Sequence, residues 1–555
     1  MAVKGVPRTF VRRPFDGGER PPWRSILTFM ATAAASRPAW DVRARALTRT
    51  RLVTPLGLGA LMLVSLALRT TELGIGFWID EGLSVGISDR PLGDIPHALR
   101  LDGSPPLYYM LLHVWMKVFG TTEEATRAMS VVCAVLAVPA AWWAARTLFG
   151  TRAAWMAAVL AATSPFLTRF AQEARMYALI ALLAIIACGA FGRAFAREGS
   201  VPARRPWAIC LAVTLAAMLY THNWALFFAT ACGIVWLFLL WRADERRDLL
   251  VTGALAFGGA LVLYLPWVPT TLYQVAHTGA PWSEAPSVVA LLGSLGQMVG
   301  QFAQIALILA AGAGFGTLFA RRGGELSPAA RAAASLLAIG ALTVVLAWLS
   351  SQLSPAWANR YLAVGVAPLL LAASAGLAHA GRLGIAGLIV AAALSAGDTA
   401  PDDKSNVRDI ADAIAPSLRP GDVVVSTQPE QVPVLAYYLP DGVRFATLTG
   451  AVSDTGVTDW RDGPERLGAT SAQRDVKPLL DRLRPGQRLA LVQPIFFDVR
   501  RWHAPWTRLV RLRSGEWSQY MGNDSRFGVA AMEPVMPTER RPNAVQATVY
   551  VKTRE

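Results

Sequence analysis

Apolar runs of membrane-spanning length recur along this chain from about residue 53 to residue 399, with short polar or basic turns between them. A helix needs about 20 apolar residues to cross the hydrocarbon core of a bilayer. We therefore expect a polytopic α-helical membrane protein whose transmembrane domain covers residues 53–400. The runs predict eleven spans, at about 53–70, 126–148, 153–170, 174–192, 207–221, 224–241, 249–268, 288–319, 331–350, 361–380 and 383–399.

The basic residues give these spans a direction. Residues 1–52 carry eleven Lys or Arg against three acids, and their one apolar stretch, 26–35, is too short to span. This segment is typical of a basic, partly disordered cytoplasmic tail rather than a signal peptide, because a long region with acids and prolines precedes the stretch. With the tail inside, every inner turn is basic, as the positive-inside rule requires. The net charge of +15 thus reflects topology, and we expect no nucleic acid partner.

The same alternation places a long loop, residues 71–124, and the C-terminus outside the cell inner or plasma membrane. Residues 105–115 open with two prolines and carry Tyr and Trp, which is typical of a helix at the membrane–water boundary. Residues 404–555 alternate helical and strand patterns, which predicts a small extracytoplasmic α/β domain without a known catalytic motif. Its predicted helices are Val407–Leu418, Val432–Leu439 and Val476–Leu483, and its predicted strands are Asp422–Ser426, Arg488–Gln493 and Ala547–Lys552.

Two adjacent acids, Asp80 and Glu81, stand about ten residues beyond the first apolar run. Acids this close to lipid are costly, and they usually serve chemistry or ion handling. A carboxylate near an apolar boundary gains basicity by desolvation, so Asp80 is a candidate general base, with Asp102 nearby in sequence. The structural alternative is that Asp80 caps a following helix, with Glu81 in its first turn.

A second group of candidates surrounds the outer end of the third span. Arg169, Glu173 and Tyr177 are spaced to share one helical face. An Arg169–Glu173 pair on that face would leave Arg175 free to bind a phosphate through its guanidinium group.

A third group opens the tenth span. Arg360 is the only basic residue of its outer loop, and a helix N-terminus at that point favours anions. A snorkelling anchor explains Arg360 equally well. His222, between two spans, fits a hydrogen-bonded structural residue better than a catalytic one. Together with Asp80, these residues predict an outward-facing pocket at lipid level, suited to a substrate with an apolar tail, a phosphate and a group to transfer.

The chain carries four characteristic segments: Asp80-Glu81, Pro105-Pro106-Leu107-Tyr108-Tyr109, Gln172–Tyr177 and Asn359-Arg360-Tyr361. This set resembles the signature of GT-C glycosyltransferases, and most of all the glycosyltransferase family 39-like group, which includes protein O-mannosyltransferases and lipid A aminoarabinose transferases. The resemblance covers roughly residues 50–400. Members commonly carry a His before the Pro-Pro pair where this chain has Ser104, so any role of that His in phosphate or metal contact is not carried over.

The resemblance implies a GT-C fold with a catalytic outer loop over residues 71–124, a polyprenyl-phosphate-linked sugar as donor, and inverting transfer on the outer face. It makes Asp80 the expected base and Glu81 its support, while Arg175 and Arg360 are the expected ligands of the donor phosphate. The sugar is left open, and so is the acceptor, which is a glycan, a lipid or a protein. The substrate pocket is expected to include Asp102, Tyr108, Tyr109, Glu173, Tyr177, His222 and Tyr361.

Other classes fit this sequence less well. A transporter or flippase for lipid-linked substrates would place its charges at the bilayer midplane and show paired halves. A non-catalytic scaffold for cell-envelope assembly would not need an acid pair and two outer arginines. GT-C enzymes that move whole oligosaccharides usually depend on a divalent metal and a second acidic motif, which this sequence lacks. All four cysteines lie inside apolar runs without a Cys-x-x-Cys motif, so we expect neither a disulfide framework nor a thiolate metal site. Because no second carboxylate cluster indicates a metal ion either, we expect no cofactor.

Overall fold

The computed structural model describes residues 39–196, 200–244, 246–320, 326–396, 403–499, 502–533 and 541–554. The chain divides into two compact units, Met1–Gly59 and Ala60–Glu555. The predicted tail, 1–52, lies outside the described residues up to residue 38, and its last residues belong to a helix. The α-helices described before residue 400 are Ala39–Leu68, Ile79–Ser88, Ile95–Asp102, Leu107–Phe119, Glu123–Phe149, Thr151–Thr163, Pro165–Ala171, Tyr177–Phe191, Val201–Leu219, Ala225–Arg242, Arg246–Gly253, Gly259–Tyr264, Val268–His277, Val288–Val299, Ala303–Leu318, Pro328–Leu353, Ala363–His379 and Arg382–Ala396.

Six of the described helical segments are long and apolar enough to cross a membrane, or seven if one bent pair counts as a span. The bent pair, Val288–Val299 and Ala303–Leu318, turns by 85°. The predicted count of eleven spans is therefore not confirmed, although each predicted span coincides with one or more helices. The six segments are Glu123–Phe149, Tyr177–Ala196, Ala225–Arg242, Arg246–His277, Pro328–Leu353 and Asn359–His379.

Two predicted spans are interrupted, and the local sequence explains both breaks. In the predicted span 153–170, Ser164 caps a second helix by accepting a hydrogen bond from the Leu167 N–H at 3.3 Å, and Pro165 occupies that helix's first turn. The predicted span 288–319 breaks at Gly300, whose φ of 96° lies in the region that favours glycine. Neither predicted span is therefore one continuous helix, and its crossing of a membrane stays a prediction.

The C-terminal domain is built around a six-stranded mixed sheet with the strand order β3-β2-β1-β4-β6-β5. Strand β1 pairs in parallel with β2 and β4, while the other neighbours are antiparallel. The strands are β1 Val423–Ser426, β2 Arg444–Thr447, β3 Gly450–Ala451, β4 Arg488–Pro494, β5 Phe527–Glu533 and β6 Val545–Lys552. The α-helices described in this domain are Val407–Ile414, Val432–Tyr438, Gly463–Gly468, Lys477–Asp481 and Pro505–Asn523.

The predicted elements of this domain correspond to β1, β4, β6 and the helices that begin near residues 407, 432 and 477, with bounds shifted by a few residues. The sequence did not predict β2, β3, β5 or the helix Pro505–Asn523. That helix packs its Trp517 into a buried apolar cluster with Val425 of β1 and Leu491 of β4. The core of the domain thus lies between the central strands and this helix.

The C-terminal domain docks on the outer-loop helix Ile79–Ser88 through very close contacts. A Cβ added at Gly82 would lie 2.6 Å from the Cβ of Val434, so only glycine permits this approach. Beside it, the Tyr438 hydroxyl accepts a hydrogen bond from the Phe77 N–H at 2.8 Å and donates one to Glu123 at 2.7 Å. The predicted boundary helix of the same loop, 105–115, is present as Leu107–Phe119, and its position in a membrane stays a prediction.

Candidate active site

The helix Ile79–Ser88 carries Asp80 and Glu81 in its first turn, where negative charge is favoured by the helix dipole. The residue before the helix is Trp78, in an extended conformation, and the N-terminus has no side-chain cap. The alternative prediction that Asp80 caps this helix is therefore wrong. The carboxylate of Asp80 is free to face other partners.

Two arginines converge on that carboxylate. The Asp80 Oδ2 atom lies 3.4 Å from Arg360 Nη2 and 3.8 Å from Arg175 Nη2. Among the described residues, Oδ2 has no hydrogen-bond partner, and the Nε atoms of both arginines also have none. The sequence predicted Asp80 as the base and Arg175 and Arg360 as ligands of the phosphate. The structure brings these three side chains together, and each has one atom without a hydrogen-bond partner in the part of the chain that the structure describes.

Arg175 is held in place beneath Asp80 by neutral contacts. Its Nη1 donates to the Asp80 carbonyl at 3.2 Å, to the Ser84 hydroxyl at 3.1 Å and to the Tyr109 hydroxyl at 3.3 Å. The side chain is almost entirely buried. These contacts fix the direction of the guanidinium group without neutralising its charge.

Arg360 stands in a cage of aromatic rings at the 3-10 turn Asn359–Leu362, just before the helix Ala363–His379. Its guanidinium carbon lies 5.1 Å from the ring centre of Trp282 and 5.5 Å from those of Trp78 and Tyr361. Cation–π contacts of this kind orient a guanidinium while leaving its edge free for an anion. Trp78 and Trp282 were not among the predicted site residues, although Trp78 is two residues from Asp80.

Glu81 points away from Asp80 and is fully engaged. Arg127 donates from Nε to Oε1 at 2.8 Å and from Nη2 to Oε2 at 2.6 Å, and the Ala174 N–H donates to Oε1 at 2.7 Å. Both charged side chains are buried. The supporting role of Glu81 stays a prediction. Because its carboxylate is bonded to Arg127 and to the Ala174 N–H, that role would be to position the Asp80 helix. Arg127 was missed, although a charge inside a predicted span is itself a functional signal.

The predicted helical face of Arg169, Glu173 and Tyr177 is wrong. The helix Pro165–Ala171 ends before Glu173, and the next one begins at Tyr177, so residues 172–176 cross the break without helical periodicity. Glu173 forms an ion pair with Lys404, at the start of the C-terminal domain. Arg175 lies within this break and faces the site.

The loop residues Asp102, Tyr108 and Tyr109 lie close to this centre. The Tyr108 and Tyr109 rings pack edge to face at 5.7 Å, and Tyr109 contacts Arg175. Burial raises the pKa of Asp102 to about 6, against the opposing effects of Ser104 and Arg175. Asp102 is thus a second carboxyl group near Arg175.

Tyr177, His222 and Tyr361 form an aromatic cluster behind Arg360. The His222 ring lies 4.7 Å from that of Tyr361 and 6.0 Å from that of Tyr177. Burial, together with Arg175 and Arg360, lowers the pKa of His222 to about 3, so this ring is neutral at pH 7. Its Nδ1 accepts the Trp224 N–H at 3.1 Å, which fits the predicted structural role.

A cavity of about 580 Å³ borders Asp80 and Arg360, within the roughly 300–1,000 Å³ typical of small-molecule sites. One wall consists of Trp78, Asp80, Trp282 and Arg360. The opposite wall belongs to the C-terminal domain, whose contribution to the site the sequence did not reveal. Among the described residues, no three His, Cys, Asp or Glu side chains are grouped to hold a metal ion.

Comparisons with known proteins give a match to part of the sequence and a shared fold. Residues 103–273 match a family model described as dolichyl-phosphate-mannose-protein mannosyltransferase. ArnT from Cupriavidus metallidurans in the apo state is 14% identical with a TM-score of 0.59, over 91% of this chain and 98% of that one. ArnT bound to undecaprenyl phosphate is likewise 14% identical with a TM-score of 0.59, over 89% and 97%. The apo oligosaccharyltransferase of Archaeoglobus fulgidus is 13% identical with a TM-score of 0.53, over 82% and 71%.

No curated protein sequence matches the chain. The chain nevertheless has the GT-C fold, and the proteins that it matches in sequence segment and in fold are glycosyltransferases.

Proposed function

We propose that this chain, a glycosyltransferase of the GT-C fold, transfers a sugar from a polyprenyl-phosphate-linked donor to an acceptor on the outer face of the membrane. The observation that carries the proposal is the convergence of Arg175 and Arg360 on Asp80, together with a cavity that Asp80 and Arg360 line. The reaction needs one proton acceptor for a hydroxyl and positive charge for a departing phosphate. These three side chains supply both.

In the proposed reaction, Asp80 accepts the proton of the acceptor hydroxyl as its oxygen attacks the anomeric carbon. The bond from that carbon to the phosphate oxygen breaks, and its electron pair leaves with the lipid phosphate. Attack from the face opposite the phosphate inverts the anomeric carbon. Arg175 and Arg360 stabilise the negative charge that develops on the leaving phosphate.

The unsatisfied donors of the two arginines support an anionic ligand. A buried N–H without an acceptor costs free energy, and a phosphate oxygen would satisfy the Nε groups of Arg175 and Arg360. A bound phosphate would also compete with Asp80 for both guanidinium groups. Its binding would thus leave the Asp80 carboxylate free for the acceptor hydroxyl.

Glu81 has a positioning role in this proposal. Its ion pair with Arg127 and its bond from the Ala174 N–H tie together the Asp80 helix, the helix Glu123–Phe149 and the segment that carries Arg175. The base and one phosphate ligand therefore share a single buried anchor. The solved complex of ArnT with undecaprenyl phosphate, a protein of similar fold, supports a lipid phosphate as part of the donor.

The proposal is tested with purified full-length protein and a panel of polyprenyl-phosphate sugars. Release of free polyprenyl phosphate together with a glycosylated product, from at least one donor, is the expected result. Failure to consume any donor, when the protein is folded and membrane extracts supply acceptors, would contradict it.

A further inference from the structure

The C-terminal domain forms the cavity wall that faces Asp80. This wall includes the rings of Trp460 and Trp502 and the side chains of Gln428 and Glu430. Trp282 of the transmembrane domain lines the cavity between the two domains. A molecule that occupies the cavity therefore touches aromatic surface and hydrogen-bonding groups at the same time.

The aromatic rings of this wall are fixed by their neighbours. Trp460 packs edge to face on Trp506 at 5.0 Å, and Trp502 packs against Phe496 at 4.7 Å. Trp460 is largely buried, whereas Trp502 is half-buried. Rigid amphipathic rings give contact area at a low cost in conformational entropy.

The polar groups of the wall are also positioned in advance. Glu430 is 6% exposed, and its carboxylate accepts hydrogen bonds from Gln428 Nε2 at 3.0 Å and from Trp506 Nε1 at 3.1 Å. A carboxylate has about four lone-pair sites, so it keeps the capacity to accept from a ligand. Trp78 lines the same cavity and is 8% exposed.

This combination matches the chemistry of a sugar ring. A pyranose has an apolar face of C–H groups, which packs on an aromatic ring, and an edge of hydroxyl groups that both donate and accept. The Glu430 carboxylate can accept hydrogen bonds from such hydroxyls, and the rings of Trp460 and Trp502 offer aromatic surface to the apolar face. An extended peptide usually adds to a sheet edge, and no described residue of the edge strands β3 and β5 lines the cavity.

We propose that the wall formed by Glu430, Trp460 and Trp502 is the acceptor site, and that the acceptor is a carbohydrate. A sugar ring bound there presents a hydroxyl toward Asp80, on the same cavity. This inference rests on the proposed function and names its acceptor class. It gives the C-terminal domain a specificity role in addition to its docking contacts.

The test measures saccharide binding to the full-length protein in detergent, on an array of defined mono- and oligosaccharides and then by calorimetry with the tightest ligand. Trp502→Ala and Glu430→Gln should each weaken binding by about tenfold or more, the scale expected for losing an aromatic anchor or a charged hydrogen bond. Trp502→Phe should retain most of the affinity, which separates loss of the ring from loss of folding.

Two matched controls lie away from the cavity. Trp241→Ala removes an exposed ring at the end of the helix Ala225–Arg242, and Glu516→Gln removes an exposed charge on the helix Pro505–Asn523. Both should bind saccharides as the unmodified protein does. No saccharide binding, equal binding by the cavity variants, or binding of a peptide panel in place of saccharides would each overturn the proposal.

The experiments can contradict the proposed acceptor site and the proposed function independently of each other. Asp80→Asn should lower the rate of transfer by at least about a hundredfold and leave saccharide binding intact. Saccharide binding that depends on Trp502 and Glu430, without transfer from any donor, supports the acceptor site and contradicts the proposed function. Transfer to a non-carbohydrate acceptor that is unaffected by either cavity variant contradicts the acceptor site alone.

Discussion

Glu81 and Arg127 form a two-pronged ion pair that is closed to solvent, with 2.6 Å between Arg127 Nη2 and Glu81 Oε2. Their side chains are only 1% and 3% exposed. The pair connects the first turn of the Asp80 helix to the helix Glu123–Phe149. The residue next to the proposed base therefore stabilises its position and is not available to the substrate.

Glu81→Gln should destabilise the protein strongly. The change keeps the size of the side chain but leaves the buried Arg127 charge without its counter-ion, which typically costs about 3–5 kcal/mol. We expect a lower apparent Tm and a lower yield of the full-length protein in detergent. Asp454→Asn is the control, because the Asp454 carboxylate is itself exposed in its pair with Arg90, and pairs open to solvent contribute about 0–1 kcal/mol. An unchanged Tm for Glu81→Gln would contradict the anchoring role.

Arg175→Ala and Arg360→Ala should each impair use of the donor. Loss of a guanidinium weakens phosphate binding and removes charge stabilisation, so donor KM should rise, kcat should fall, or both. Lysine should rescue each position only in part, because it lacks the planar two-pronged geometry. Steady-state kinetics at varied donor concentration measures both parameters.

Arg90→Ala is the matched control for these variants. It is an outer-loop arginine of the same helix region, but it pairs with the exposed Asp454 and not with Asp80. Its kinetics should resemble those of the unmodified protein. Normal kinetics for Arg175→Ala and Arg360→Ala would show that the donor phosphate binds elsewhere.

The pocket arginines could be predicted from the sequence, whereas their setting could not. Arg360 and Arg175 could be identified because each is a cation in a predicted outer segment that is otherwise poor in Lys and Arg, and the sequence alone shows this. The break at residues 172–176 contains neither Gly nor Pro, so no local signal marks it. It depends on tertiary contacts, since Glu81 takes the Ala174 N–H that a continuous helix would use.

The cavity wall could not be predicted for a related reason. Glu430 and Trp502 come near Asp80 only because a separate domain docks on the Asp80 helix through Gly82 and Val434. Periodicity along the sequence gives the type of each element but not which domain surface packs against which. The helix breaks at Ser164 and Gly300, in contrast, do have local sequence signals, namely a helix-capping serine and a glycine. They were not predicted because the spans were assigned from hydropathy alone.

The proposed topology predicts opposite labelling of two exposed positions. Ser453 belongs to the C-terminal domain, while Ser200 lies in a turn expected to be cytoplasmic. Ser453→Cys should react with an impermeant thiol reagent in intact cells, and Ser200→Cys should react only after the membrane is opened. The unmodified protein is the control for its four native cysteines. The reverse pattern would place Asp80 on the cytoplasmic side.

Transfer should not depend on a metal ion. In the proposed reaction, Arg175 and Arg360 provide the positive charge that a divalent ion would otherwise supply. Treatment with EDTA should leave the rate unchanged, as measured by product formation before and after dialysis. Loss of transfer in EDTA with recovery in Mn²⁺ or Mg²⁺ would contradict the two-arginine account.

The most direct test of the account is the transfer rate of Asp80→Asn. Asparagine keeps the shape of aspartate and cannot accept the proton of the acceptor hydroxyl, so the rate should fall by at least about a hundredfold, the usual scale for loss of a general base. Normal expression, an unchanged Tm and undiminished binding of the donor lipid should accompany this loss. Near-normal turnover in a folded Asp80→Asn protein would contradict the assignment of Asp80 as the base.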